Sequence, residues 1–491
     1  MAQAGETRGS AVAWWLALAG LVAGMATALS TGSPLGAGVT TTAEWSSHLA
    51  GVALAMGAFA ALVWNGGLRS RLTPGIVFGL AGALLVAAVI VPPRESRDVW
   101  AHVMYGRILA VHHANPYRHP PSAYPGDPWL ARVGAEWRDT KSVYGAAYTA
   151  LSAAIAKIVG DSATAARVAF QTLAAMSILL AMLLVYRRRS AGSSDDDGPR
   201  PPGQTLDASA FAPAAAAAWI GLNPIVILGV ANAAHNDGLV GLASLAGALV
   251  ATMGPAFAAG LIFGLGASVK IVALAPAAAT SLWVWRRRSG GAGLWLAAGA
   301  AVPVVAGSLA FGGLAAVSPV WSSARAEYPF SVWQAPHWIA SLLSGDLLHA
   351  SVAAATRPPG VWPTAVTLAA IVVLTLPAVR TQSPYLAASV SLLTLAVVAP
   401  WSLPWYVSWS IPLLGLMFPS PLSVVAFAAA CQMEAGYLLL VPVHGTAWQG
   451  PVMLCLSLAE LAVIVGLVAA VRAEVRRASR APATAAGRAP A

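Results

Sequence analysis

Five short stretches gather most of the residues able to do chemistry. SRDVWAHVMYGRILAVHHANPY, 96–117, carries Asp98, His102, Arg107, His112 and His113, and Arg118 follows it. WRDTKSVYGAAY, 137–148, carries Arg138 and Tyr144. AHNDGLV, 234–240, sets His235, Asn236 and Asp237 side by side, and ASVKIVALAP, 267–276, holds Lys270, one of only three lysines. PWSLPWYVSW, 400–409, adds Trp405 and Tyr406. A half-exposed carboxylate such as Asp98 can take the proton of an attacking hydroxyl. Lys270, with Arg118, Arg138 or Arg325 in that order, can neutralise a phosphate leaving group. His102, Tyr144, His235, Asn236, Asp237, Trp405 and Tyr406 supply polar and aromatic pocket walls of the kind that stack on a ring face.

Each feature also has a plainer reading. Asp98 stands where it could N-cap the helix beginning DVW, and AHNDG has the composition of a polar turn. Lys270 can snorkel to headgroups, and the tryptophan-rich turn can anchor at a membrane interface. His112 and His113 point to different faces of a helix, leaving at most one for a site. Asp98, His235 and Asp237 are donor types that divalent ions take, but they lack tight ligand spacing, so neither a metal nor another cofactor is expected.

The elements that must position these residues are membrane spans. Of 491 residues, 58% are hydrophobic and 9% charged, with a mean hydropathy of +0.70; soluble proteins carry about 25% charged residues. The expected fold class is an all-α polytopic membrane protein. The net charge of +10 lies largely in short arginine clusters between apolar runs. It therefore marks topology rather than a nucleic-acid face. Cys431 and Cys455 lie in apolar runs, which argues against a disulfide framework. The run 11–30 is long for the core of a cleaved leader and reads as a first span.

A membrane core of about 30 Å needs about 20 apolar residues as helix. Fourteen runs approach that measure: 11–31, 48–67, 73–92, 163–186, 209–230, 237–253, 255–269, 271–285, 291–314, 362–379, 384–400, 403–418, 421–441 and 450–471. The positive-inside rule places Arg8, Arg69, Arg71, the triplets 187–189 and 286–288, Arg380 and the tail arginines on the cytoplasmic side. It requires that 143–160 stay at the outer face as an amphipathic or re-entrant helix. The organisation expected is N-terminal spans 1–92, a large outer loop 93–162 with juxtamembrane helices, and core spans 163–314. A second outer loop, 315–361, C-terminal spans 362–472 and a disordered tail 473–491 follow. A disordered cytoplasmic linker is expected at 190–207. No internal repeat is visible. The unusual polar residues converge on outer turns, where ionisable groups at membrane depth are functional candidates.

The order of these pieces resembles the actinobacterial polyprenol-phosphomannose-dependent α-1,6-mannosyltransferases, within the GT-C superfamily of membrane glycosyltransferases. The shared order is an Asp in the first outer loop, NPY, a W-x-x-T-x-x-x-YG string, HND and a lone Lys between short helices. The resemblance spans about 92–280, with weaker support at 404–406. It implies Asp98 as the catalytic aspartate, a polyprenyl-phosphate sugar donor, a glycan or glycolipid acceptor, and inversion on the outer face of the cytoplasmic membrane. The chain departs from the pattern at Ala146 and Ala147, where Pro-Leu is expected, and at Trp100, Ala101 and His102. These changes touch the pocket. The readings set against it are a lipid-linked oligosaccharide transporter or flippase, whose charges should line the midplane, and a non-catalytic glycolipid-binding subunit of the same fold.

Overall fold

The apolar runs fold as helices, seen in a computed structural model that describes residues 2–32, 36, 41–194, 212–316, 327–344, 362–443 and 446–480. The helices are Ala2–Ser30 (α1), Thr42–Trp64 (α2), Pro74–Ile90 (α3), Asp98–Ala110 (α4), Ala146–Val159 (α5), Ala163–Ser194 (α6) and Ala212–Gly221 (α7). Asp237–Met253 (α8), Ala256–Ala267 (α9), Leu274–Arg287 (α10) and Gly290–Ala310 (α11) follow, then Ala335–Ser344 (α12), Trp362–Val379 (α13), Pro384–Val398 (α14), Pro421–Val443 (α15) and Gln449–Arg480 (α16). Their starts are written in the sequence. Thr41 and Glu44 form a capping box on α2, and Thr73 with Pro74 opens α3. Ser289 and Ser383 cap α11 and α14.

Among the described residues no strand occurs, and seven helices are long and apolar enough to cross a membrane, or eight if the bent pair Ala212–Gly221 and Val226–Asn232 is one span. The chain is thus all-helical and polytopic, as expected, while Pro74–Ile90, Asp237–Met253, Ala256–Ala267 and Pro384–Val398 are shorter apolar helices.

Three expectations are corrected. The run 403–418 is not one helix but a 3-10 stretch, Pro404–Trp409, followed by Ile411–Gly415. Pro404 and Pro412 interrupt its hydrogen-bond ladder. Its residues are nearly all buried, the setting in which broken backbone is tolerated at membrane depth. Residues 190–194 continue α6, and residues 473–480 continue α16; the remainder of the expected disordered linker and tail lies outside the described residues, as does Arg325.

Helix α6 connects the two ends of the bundle. In its first turns, Arg167 donates to Val89 O and Ile90 O, and Gln171 Nε2 donates to Ala88 O and Val91 O. Asn232 Nδ2 also donates to Ala88 O and Val91 O. These side chains satisfy the carbonyls that the end of α3 leaves without helical partners. Near the other end of α6, Arg189 donates to Leu416 O at 2.9 Å. The segment 92–162 therefore lies at the bundle rim opposite the arginine triplet 187–189.

Candidate active site

Helix α4 begins at Asp98. Its N-cap is Arg97, which makes no side-chain cap bond. Ser96 Oγ accepts the Asp98 N–H at 3.1 Å, which frees the Asp98 carboxylate from capping. Asp98 Oδ1 accepts the indole N–H of Trp137 at 2.8 Å, and Oδ2 lies 3.3 Å from His235 Nε2. The side chain is 17% exposed. Burial by itself would raise its pKa. The hydrogen bond and charge of His235, then His102, then the Trp137 N–H outweigh that and bring it down to about 2. Asp98 is a held carboxylate at the rim, not a cap.

One helical turn on, His102 lies on the same face of α4 and is buried. Its Nε2 and Nδ1 each lie 2.9 Å from a tyrosine hydroxyl, of Tyr144 and Tyr148. Burial lowers its pKa to about 3, so at neutral pH it is an uncharged link between two phenols. Above that pH, the Trp137 N–H is the fixed donor that holds Asp98 ionised.

The Tyr144–Gly145 turn is docked by backbone. Gly145 N–H donates to Val269 O at 2.9 Å and Tyr148 N–H to Ser268 O at 3.1 Å. A Cβ at Gly145 would strike Ser268 O, so only glycine allows this approach. Tyr117, of the NPY motif, donates to Tyr144 O at 2.8 Å, and Asn115 Nδ2 donates to Phe311 O at 2.7 Å. The NPY motif is therefore scaffold for the pocket. Ala146, where the resemblance leads one to expect Pro, is the first residue of α5, a position that suits either.

The strand of chain leading into Asp98 is clamped from four sides. Arg94 N–H donates to Asn232 Oδ1 at 2.9 Å, and Tyr437 Oη donates to Glu95 O at 2.8 Å. The Glu95 carboxylate meets His48 Nε2 at 2.9 Å, while His48 Nδ1 lies 3.0 Å from Ala28 O and so carries a proton. Glu434 lies beside the Glu95 carboxyl. Glu460 has a separate task, since its Oε2 accepts the Val332 N–H at 2.6 Å and fixes the turn at 331–334.

The HND turn follows a π-helical segment, Val226–Asn232, a form frequent at functional sites. His235 Nδ1 bonds Gly229 O, its Nε2 lies 3.1 Å from Ser96 Oγ, and its ring faces Trp405 at 4.0 Å. Asn236 Nδ2 is buried without a hydrogen-bond partner. Asp237 accepts from Lys270 Nζ at 2.8 Å and from Trp409 Nε1. Lys270 Nζ also lies 4.2 Å from the Tyr406 ring centroid and 5.2 Å from that of Trp409. The lysine is caged by a carboxylate and two stacked aromatic rings.

The arginines chosen from sequence stand apart from this cluster. Arg138 donates to Val133 O at 3.1 Å within its own loop, and Arg118 lies against Gly312. His112 pairs with Asp127, which Arg107 also binds. Sequence reading missed Ser96, Trp137 and Tyr148 as contacts of the Asp98–His102 pair, and Arg97, which is exposed beside Asp98. Their motifs were in view, but spacing gives no sign that Trp137 reaches across 39 positions to Asp98. Among the described residues no three His, Cys, Asp or Glu side chains are placed to hold a metal ion.

An ionised carboxylate, a buried imidazole and a caged lysine at one rim define a polytopic helical membrane protein with a polar site at the end of its bundle. Comparison with known proteins gives the first part of the chain a family context. Residues 6–195 match the model of a family described as alpha-(1->6)-mannopyranosyltransferase, N-terminal domain. Over 173 residues the chain is 28% identical to alpha-(1->6)-mannopyranosyltransferase A of Corynebacterium glutamicum, covering 35% of this chain and 31% of that protein. The chain thus spans about a third of the length of the curated relative it matches. Both matches support the family named from the motifs. The region matched by the family includes Asp98, His102, Trp137 and Tyr144, and leaves out His235, Lys270, Trp405 and Tyr406.

Proposed function

We propose that the protein is an inverting mannosyltransferase. It moves mannose from a polyprenyl-phosphate donor to a glycan or glycolipid at the extracytoplasmic face of the cytoplasmic membrane. The observation that carries this reading is Asp98, a carboxylate kept ionised at the rim and not consumed as a helix cap. It takes the acceptor hydroxyl proton as that oxygen attacks the anomeric carbon. The phosphate leaves as a stable anion, so the reaction needs no general acid and no cofactor.

Positive charge for that phosphate comes from Lys270, which keeps N–H groups beyond the one given to Asp237, and from exposed Arg97. Arg118 and Arg138 serve the donor through the loop they stiffen. His102 and Tyr144 back the base, while Asn236, Trp405 and Tyr406 shape the sugar pocket. The position of Asp98 opposite the arginine triplet 187–189 supports the extracytoplasmic face. The matched family's name supports an α-1,6 linkage.

The test is purified protein in nanodiscs, given a β-mannosyl polyprenyl phosphate and a short α-mannoside. The product's anomeric configuration and linkage are read by NMR. An α-1,6 product is expected. A β product, or none from folded protein that binds the donor, contradicts the proposal.

A further inference from the structure

We propose that His235 takes part in the transfer itself, receiving from Asp98 the proton that Asp98 removes from the acceptor hydroxyl. The inference rests on the transferase reading above and adds a second proton carrier to it.

The geometry fixes which nitrogen exchanges the proton. His235 Nδ1 faces the carbonyl of Gly229, an acceptor only, so Nδ1 carries a hydrogen in either charge state. That carbonyl is available because the chain leaves the π-helical segment there. The Ala234 N–H turns to Ala231 O, and Ala234 takes a φ of +60°, a left-handed conformation costly for a residue with a Cβ. Nε2 is left as the exchanging atom. Its polar neighbours among the described residues are Ser96 Oγ at 3.1 Å and Asp98 Oδ2 at 3.3 Å.

Ser96 suits both states of that atom. Its oxygen already accepts the Asp98 N–H, and its hydroxyl hydrogen can be given to a bare Nε2. When Nε2 is protonated, Asp98 Oδ2 and Ser96 Oγ both become acceptors for it. Trp405, 4.0 Å from the ring, packs on the imidazole and keeps Nε2 aimed at this pair. Oδ1 of Asp98 is taken by Trp137, which leaves Oδ2 to collect and pass on the proton.

The remaining charged and titratable groups around the pair are His102 and the Lys270–Asp237 ion pair. Arg97 lies exposed beside Asp98, and Glu95 with the hydroxyls of Tyr105, Tyr144, Tyr148, Tyr328, Tyr406 and Tyr437 lies around the pair. His102 is neutral near pH 7 and the ion pair is compensated, so the Asp98–His235 pair holds the mobile proton.

The step balances. The acceptor O–H bond breaks as its oxygen bonds the anomeric carbon. The carbon–oxygen bond to phosphate breaks and its electron pair stays on the phosphate. The proton goes to Asp98 Oδ2, then to His235 Nε2, and after the product leaves it returns through Asp98, the more exposed member of the pair, to water.

The test measures kcat and donor KM against pH for the native protein, Asp98→Asn, His235→Gln and Ser96→Ala. It uses mannosyl phosphate on a short synthetic polyprenol and an α-mannoside acceptor. Glutamine can donate to Asp98 but cannot take up its proton. His235→Gln should keep donor KM, lose about 10- to 100-fold in kcat, and shift the acid limb of kcat to lower pH. Ser96→Ala removes the donor to neutral Nε2 and should shift that limb to higher pH. An acid limb unmoved in both variants overturns the proposal, whatever happens to kcat, and Ser96→Ala decides alone if His235→Gln does not fold. Full activity in Asp98→Asn would instead overturn the base assignment beneath it; an inactive Asp98→Asn with unmoved limbs overturns only the role of His235.

Discussion

Trp137 and Asp98 are 39 positions apart in the chain and joined by a 2.8 Å hydrogen bond from the indole N–H to Oδ1. That contact ties the first turn of α4 to the WRDTKSVYG loop and gives the carboxylate a donor that no helix cap would supply. It stabilises the charged form of Asp98.

Replacing Trp137 by Phe should therefore raise the Asp98 pKa. A hydrogen bond to a charged group contributes about 1.5–3 kcal/mol, equivalent to roughly one to two pH units. The acid limb of the pH–rate profile should move upward and kcat should drop, with donor affinity retained. An unchanged profile in Trp137→Phe would show that this bond does not tune the base.

Gly145→Ala tests the docking of the YG turn. The added methyl meets Ser268 O, and overpacking of this kind costs about 1–3 kcal/mol. A lower unfolding midpoint in detergent is expected, together with lost transfer activity, because Tyr144 is displaced from His102. A variant as stable and active as the native protein would contradict the docking.

The buried acids near α2 and α15 should respond unequally. Removing Glu95 by Glu95→Ala leaves His48 without its partner in a closed interior, a loss of about 3 kcal/mol or more. Glu434→Gln should be nearly neutral, since the amide keeps the shape of the side chain and leaves the His48–Glu95 contact intact. Thermal unfolding of the two variants compares them directly. Equal losses would mean that the His48–Glu95 contact is not what holds this interior together.

Acid should weaken the fold through His102 and Asp98 together. The folded pKa of His102, about 3, lies below an ordinary histidine's, so the unfolded chain binds its proton first. Stability from this residue is complete above about pH 6.5 and declines by up to about 1.4 kcal/mol per pH unit as pH falls toward 3. Asp98, lowered to about 2, contributes stability above an ordinary aspartate's pKa that is lost as pH falls toward 2. His102→Phe should flatten the decline between pH 6 and 4. An unaltered slope would contradict a buried neutral imidazole.

Much of this fold was legible because membrane helices announce themselves by length and apolarity. The exception at 403–418 is instructive. Hydropathy sums composition and ignores Pro404 and Pro412, whose lost N–H groups break the ladder, and it cannot tell a lipid-facing span from one buried in protein. The helix at 473–480 was hidden by its charge, although Glu474 and Arg477, three apart, form a pair at 3.8 Å. Within the site, Asp98, His102, Tyr144, His235, Asp237 and Lys270 stood out by residue type, and the structure brings them together. What sequence could not show was which groups already satisfy one another. Asp237 takes one N–H of Lys270, two tyrosines enclose His102, and Arg138 turns onto its own loop. Such pairings depend on packing between distant segments, to which local pattern is blind.

The central claim is that the Asp98 carboxylate is the base for sugar transfer. Its most direct test is single-turnover transfer from a radiolabelled mannosyl polyprenyl phosphate by Asp98→Asn beside the native protein, with donor binding measured on the same samples. The account predicts unchanged donor binding and a transfer rate reduced by at least about 100-fold. Transfer by Asp98→Asn at the native rate would contradict it.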